Sequence, residues 1–124
     1  STRGVPDYKN IADLKGRKLG VSSLDSSTSL VASMVLAGAD LTAADVSFVR
    51  VGAGAGAVVA LRGAQIDALS STDPAMTMLE QRGEVKIIAD TRTLKGTQQL
   101  FGGPMPAACL FAANEFVQKN PNTT

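Results

Sequence analysis

The chain has 124 residues, 44% hydrophobic and 19% charged, with a formal net charge of +1, no histidine, no tryptophan and one cysteine. It reads as one ordinary globular domain, and it excludes a Ser-His-Asp triad, a histidine-ligated metal, an internal disulfide and a thiolate cluster. With no basic run longer than Arg17–Lys18 it offers no nucleic-acid surface, and its longest apolar stretch, Leu30–Ala39, is far short of the ~20 residues of a membrane span.

Residues Ser1–Asn10 are polar and lack the charged-then-apolar order of a signal peptide. From there, three segments repeat one grammar: a short apolar strand, a turn of small residues, then a helix. The first strand is Lys18–Ser22. The turn Ser22–Ser27 hands over to a helix over Thr28–Ala37, with Leu30, Val31, Met34 and Val35 on one face and Gly38 as a left-handed stop. The second strand is Val46–Val51, rich in β-branched residues. Gly52-Ala53-Gly54-Ala55-Gly56 then turns into a helix through Val58, Val59 and Leu61 that ends at Gly63. Ile66–Ser70 is the third strand. Asp73-Pro74 predicts a helix start, aspartate as N-cap and proline in the first turn, with Ala75, Met76 and Leu79 as the apolar face and Arg82-Gly83 as the end.

Val85–Ala89 predicts a fourth strand. Thr91–Pro106, broken by Gly96, Gly102, Gly103, Pro104 and Pro106, predicts a long loop, and Pro106–Ala112 one more strand. Asn114 is placed to cap a short helix running to Lys119, which Asn120-Pro121 halts. Strands alternating with helices through short loops imply an α/β fold with a mostly parallel sheet flanked by helices. With only Tyr8, Phe48, Phe101, Phe111 and Phe116 as aromatics, the core is built from Ala, Val, Leu and Ile.

The most informative local feature is the hydroxyl cluster Ser22, Ser23, Ser26, Ser27, Thr28 and Ser29, where a strand hands over to a helix. In a parallel sheet this is the carboxyl edge, where ligands bind, and unpaired amides with a positive helix end favour an anion there. The plainer reading is that Ser26 or Ser27 only caps the helix, a task for one hydroxyl. A catalytic serine has no histidine and no S-x-x-K spacing to activate it. Gly52-x-Gly54-x-x-Ala57 formally matches a dinucleotide fingerprint, with Asp73 about 20 residues on. Asp73 is already explained by the helix start, however, and Ala-Gly alternation is common in this chain. A Walker phosphate loop is excluded, since no Gly-Lys dipeptide occurs. Asp67 reads as a sheet-edge or turn-capping residue, Asp25 and the basic Lys15, Arg17 and Lys18 as solvated, and Cys109 as an inert core thiol.

Ile11-Ala12-Asp13-Leu14-Lys15-Gly16-Arg17-Lys18-Leu19-Gly20-Val21-Ser22 resembles the opening of the second lobe in periplasmic solute-binding proteins of ABC transporters, nitrate/sulfonate/taurine type. The likeness continues through Ser26-Ser27-Thr28, Val51-Gly52-Ala53-Gly54, Gln65-Ile66-Asp67-Ala68, Asp73-Pro74-Ala75, Glu84–Arg92 and Phe116-x-x-Lys119-Asn120-Pro121.

The resemblance implies one lobe of a type II periplasmic-binding-protein fold. Residues 1–10 would enter from a first lobe, 11–105 would form the ligand-binding lobe, and 106–124 would carry a hinge strand, a short helix and a tail leading back. It implies no enzyme and no cofactor, a small anionic solute such as a sulfonate or nitrate, an ABC permease as partner of the whole protein, and a periplasmic or lipid-anchored extracytoplasmic location. The ligand-facing positions it carries over are Ser26, Ser27, Thr28, Ala53, Gly54, Thr72 and Asp73. Small residues in the second and third loops imply a hydroxyl-lined half-site. The hinge strand Pro106–Ala112 is expected to be displaced, disordered or paired with a neighbouring molecule. Two other readings of the chain are a nucleotide-binding enzyme domain using Gly52, Gly54 and Asp73, and a regulatory ligand-sensing domain.

Overall fold

The computed structural model describes residues 8–106 and 111–122. Three parallel strands, β1 (Lys18–Val21), β2 (Ser47–Arg50) and β3 (Ala68–Leu69), form a sheet in the order β2-β1-β3. Leu19 of β1 lies opposite Phe48 of β2 and Ala68 of β3, so the first strand in the chain is the central one. The helices are α1 (Ser27–Ala37), α2 (Ala55–Arg62), α3 (Ala75–Gln81), α4 (Leu94–Phe101) and α5 (Asn114–Lys119).

Strand alternation divides the core in two. Leu19, Val21 and Ala68 pack with Ala32 and Leu36 of α1, joined by Leu14, Leu41 and Val46. Val49, Val51 and Leu69 point the other way, onto Val58, Leu61, Ile66, Ala75 and Leu79 of the α2–α3 side. The chain thus puts α1 on one face and α2 with α3 on the other. Gly20 is the central residue facing α2. A side chain there would meet Ile66 Cδ1 at 2.5 Å, so the centre of that face is filled by its neighbours.

Several expectations are corrected. The buried face of α1 is Thr28, Ala32, Val35 and Leu36, whereas Leu30 and Met34 lie outside. With no charged residue over Ser27–Ala37, the sequence carries no polar face to orient the helix, and the sheet decides. Gly38 is right-handed (φ −64°). The chain reverses two residues later, with Asp40 left-handed (φ 57°) and the Leu41 amide donating to the Leu36 carbonyl at 3.0 Å. Pro74, after a cis peptide bond, flanks α3 rather than opening it, although Asp73 Oδ1 still accepts from the Thr77 amide at 2.9 Å.

Val85–Ala89 joins no ladder. Its backbone needs a neighbouring strand, and β3 pairs only with β1 among the described residues. Thr91–Pro106 is not all loop, because α4 forms inside it. Thr93 Oγ1 caps the Gly96 amide at 3.0 Å, and left-handed Gly102 (φ 77°) closes the helix. Helix α5 begins at Asn114 with Ala113, not Asn114, as its N-cap. Of the expected strand Pro106–Ala112, residues 107–110 lie outside the described residues; Phe111 is 89% exposed, and every residue of α5 is exposed.

Gly96 sits in the first turn of α4 because a Cβ there would fall on the Asp90 carbonyl oxygen. Gly96→Ala is therefore expected to destabilise the chain by roughly 1–3 kcal/mol through overpacking, despite the gain in helix propensity. Urea denaturation followed by circular dichroism reads this out, with exposed Lys95→Ala as the neutral control.

Candidate functional site

The carboxyl ends of β1 and β3 meet above the central strand, where β1 leads to α1 on one face and β3 to α3 on the other. A ligand finds a crevice at such a switch point. The turn after β1 is built from its own hydroxyls. Thr28 Oγ1, on a residue only 6% exposed, accepts the Ser22 amide at 3.0 Å and lies 2.9 Å from Ser22 Oγ and 2.7 Å from Ser26 Oγ. Ser26 Oγ also donates to the Ser23 carbonyl at 2.7 Å. Ser70 Oγ, at the end of β3, donates to the Thr28 carbonyl at 2.7 Å and ties the two strand ends together.

Ser26 is the N-cap residue of α1, yet its side chain makes no bond to the first-turn amides. Its hydroxyl is spent within the turn. The amides of Ser27 and Thr28 are left without a capping side chain, at the positive end of an eleven-residue helix.

Beside them lies a cavity of about 160 Å³, lined by the hydroxyl residues Ser27, Thr28, Ser70, Ser71, Thr72, Thr91 and Thr97 and the apolar Val31, Phe101 and Met105. Among the described residues no lysine, arginine or carboxylate lines it. The structure therefore brings together Ser27, Thr28 and Thr72 of the residues singled out from sequence. Ser26 supports them from within the turn. Ala53 and Gly54 stand at the carboxyl end of the neighbouring strand β2 and do not line this cavity. Gly54 has φ 77°, and the turn's glycines answer to that backbone geometry without a nucleotide.

Asp73 lies just outside the cavity and is occupied. Its carboxylate accepts from the Thr77 hydroxyl at 2.7 Å and the Thr77 amide at 2.9 Å, and Arg92 Nη1 stands 3.8 Å away. These contacts, Thr77 foremost, hold its pKa below the usual carboxylate value. Arg92 also reaches Asp90 at 2.9 Å and Glu80 at 3.0 Å, and its hydrogen bonds hold Asp90 low in turn. Asp67 Oδ2 accepts the Lys18 amide at 2.9 Å, a bond to the start of the neighbouring strand β1 rather than a cap on its own turn. Sequence reasoning missed Ser70, Ser71, Thr91 and Thr97. The run Ser70-Ser71-Thr72 directly after a strand mirrors Ser26-Ser27-Thr28, and that was the available signal. Among the described residues no group of His, Cys, Asp and Glu could hold a metal.

A family model described as the periplasmic substrate-binding protein of phosphonate ABC transporters matches residues 2–109. A solved structure from Bordetella bronchiseptica RB50 is 58% identical over 99% of this chain, with a TM-score of 0.86, and the chain spans 39% of that protein. The alkanesulfonate-binding protein SsuA from Xanthomonas axonopodis pv. citri, solved with MOPS bound, is 28% identical over 67% of this chain and 28% of its own, with a TM-score of 0.62. No curated protein matches the chain.

Thr28→Val keeps the shape and removes the acceptor of the Ser22 amide, so it is expected to cost roughly 1–3 kcal/mol in urea denaturation. Acid stability has a definite sign. Asp73 and Asp90 have lowered folded pKa values, so their contribution is fully present above the unfolded value near 4 and is lost as pH falls through the lower folded values. Arg92→Gln is expected to shrink that loss in a pH series of thermal melts.

Proposed function

The chain belongs to the family of periplasmic substrate-binding proteins of phosphonate-type ABC transporters, which bind solutes and are not enzymes, and from that premise we propose that its cleft edge holds the head of a small oxyanion. The observation that carries this reading is the uncapped first turn of α1, opening beside a cavity lined by hydroxyls. Backbone amides of Ser27 and Thr28 would donate to the anion, with the hydroxyls of Ser27 and Thr72 adding donors. Thr28 Oγ1 and Ser26 Oγ keep the turn in shape. Each helix-end contact with an anion contributes about 0.3–1 kcal/mol, more when partly buried. No cationic side chain is required.

The family description names phosphonate and the SsuA structure alkanesulfonate; both are oxygen-rich anions on carbon. A head of that class, or nitrate, suits donors spread over two strand ends. Ala53 and Gly54 at the start of α2 and Asp73 at the start of α3 would form the rim.

The domain reading goes with this function. Residues 11–105 would act as one ligand-binding lobe, 1–10 as the approach to it and 106–124 as a return segment. The exposed Phe111, Phe116 and Val117 suit a segment that packs on another body. Since the chain spans 39% of the Bordetella protein, the opposing half of the site, delivery to a permease and the extracytoplasmic setting belong to the whole protein. Self-association through the return segment is part of the same proposal.

Half a site binds weakly. If a full site gave micromolar affinity, about −8 kcal/mol, half the contacts would leave a Kd of about a millimolar. Titration of the chain with methylphosphonate, methanesulfonate and nitrate, followed by amide shifts in nuclear magnetic resonance, is expected to move the Ser27 and Thr28 amides at millimolar concentrations. No saturable shift with any of them overturns the reading, and micromolar affinity overturns its half-site part.

A further inference from the structure

The cavity beside the Ser26–Thr28 turn is walled by hydroxyls and apolar side chains, and among the described residues none of its lining is charged. The charges stand outside it. Asp25 lies in the turn after β1, Asp73 and Glu80 share Arg92 with Asp90, and α4 carries Lys95, while α1 carries no charge and Arg82 closes the far end of α3. Around the cavity, four carboxylates thus face two cations. Asp73 and Asp90 each follow or precede a lining residue, Thr72 and Thr91.

Two hydroxyls of the wall have already given up their proton. Ser70 Oγ donates to the Thr28 carbonyl at 2.7 Å, and Thr97 Oγ1 donates to the Leu94 carbonyl at 2.9 Å. A serine or threonine hydroxyl has one proton and two lone pairs, so towards a ligand these two oxygens act as acceptors. A head that keeps an O–H of its own finds partners in them.

Charge decides between the ionised forms of such a head. The cost of taking an ion out of water grows as the square of its charge, whereas its attraction to the half-charge of a helix end grows only in proportion. With no cationic side chain in the lining, a second negative charge costs more than the α1 amides return, and the surrounding carboxylates add to that cost.

We propose that the cavity takes its oxyanion head in the singly charged form, so that a phosphonate is held as the hydrogen phosphonate, its charge towards the Ser27 and Thr28 amides and its O–H donating to Ser70 Oγ or Thr97 Oγ1. This rests on the reading that the cleft edge holds an oxyanion, and deepens it by naming the protonation state that is bound.

The chain has no histidine, and the contacts of Asp73 and Asp90 hold both carboxylates below their usual range. The rim therefore keeps its charge from about pH 5.5 to about pH 9, a span that brackets the second ionisation of a phosphoryl head. Methylphosphonate and methanesulfonate are titrated against the chain across that span, by calorimetry and by line broadening of their own methyl resonances. Methylphosphonate is expected to weaken roughly tenfold or more between the two ends, as the fraction of monoanion falls. Methanesulfonate, singly charged throughout, is expected to change by less than about twofold. Thr97→Val removes an acceptor and is expected to lower the ratio of methylphosphonate to methanesulfonate affinity several-fold at the acid end. Should that variant misfold, Glu80→Gln at an exposed position takes one charge from the rim and is expected to reduce the alkaline loss by about twofold. Methylphosphonate that fails to bind, stays within about threefold across the span or tightens as pH rises overturns the proposal, while methanesulfonate binding keeps the head reading in place. Binding of neither compound at any pH overturns both.

Discussion

One residue, Thr28, joins the ends of two strands to the start of a helix. Thr28 Oγ1 takes the amide at the end of β1, and the carbonyl of the same residue takes the Ser70 hydroxyl at the end of β3. Buried bonds of this kind gain little net energy each, but leaving any partner unpaired costs the full desolvation penalty. The consequence is geometric. With Ser22, Ser23 and Ser26 satisfied inside the turn, nothing remains to cap α1, and its first amides stay available at the cleft edge. The same contacts that stabilise the turn thus leave the site unspent donors.

The sheet supplies the rest of the framework. Because β1 is central, its two ladders fix the height of both neighbouring loops relative to the Ser26–Thr28 turn. Leu19 and Val21 bind α1 to one face, while Gly20 lets Ile66 close over the other. A three-stranded sheet is small, and β3 pairs through two residues only. Its position relies on the Ser70 amide donating to the Gly20 carbonyl at 2.9 Å and on Asp67 holding the Lys18 amide from the opposite end. Both ends of the shortest strand are therefore anchored to the central one.

The β1–α1–β2–α2–β3 order was legible because each unit keeps local period, turn chemistry and end signals in agreement. Val85–Ala89 was not, since its β-branched residues report a preference that only a neighbouring strand can satisfy. Helix α4 hid behind Gly96 and Gly102, which read as breakers; one makes room for the Asp90 carbonyl and the other is the stop. The spacing Leu94, Thr97, Phe101 and the cap Thr93 were the overlooked signals. On α1, apolar residues lie on several sides, so the face read from Leu30, Val31, Met34 and Val35 gave way to Thr28, Ala32, Val35 and Leu36 once the helix packed on the sheet. Of the positions singled out, Ser27 and Thr28 from the hydroxyl cluster and Thr72 from the family resemblance line one cavity. Nothing local distinguishes Ser71 from Ser70, because one is engaged across the sheet and the other is not.

The rim around Arg92 has a kinetic side. One guanidinium shared among Asp73, Glu80 and Asp90 leaves a net negative cluster beside the cavity, whose lining among the described residues is neutral. An anion diffusing towards the cleft edge meets that field before it meets the amides. At physiological ionic strength the field reaches about 8 Å, and in dilute buffer about 30 Å. On the oxyanion reading proposed above, capture would accordingly be slowed in dilute buffer and quickened by added salt, the reverse of the behaviour of a binding face built on lysines and arginines.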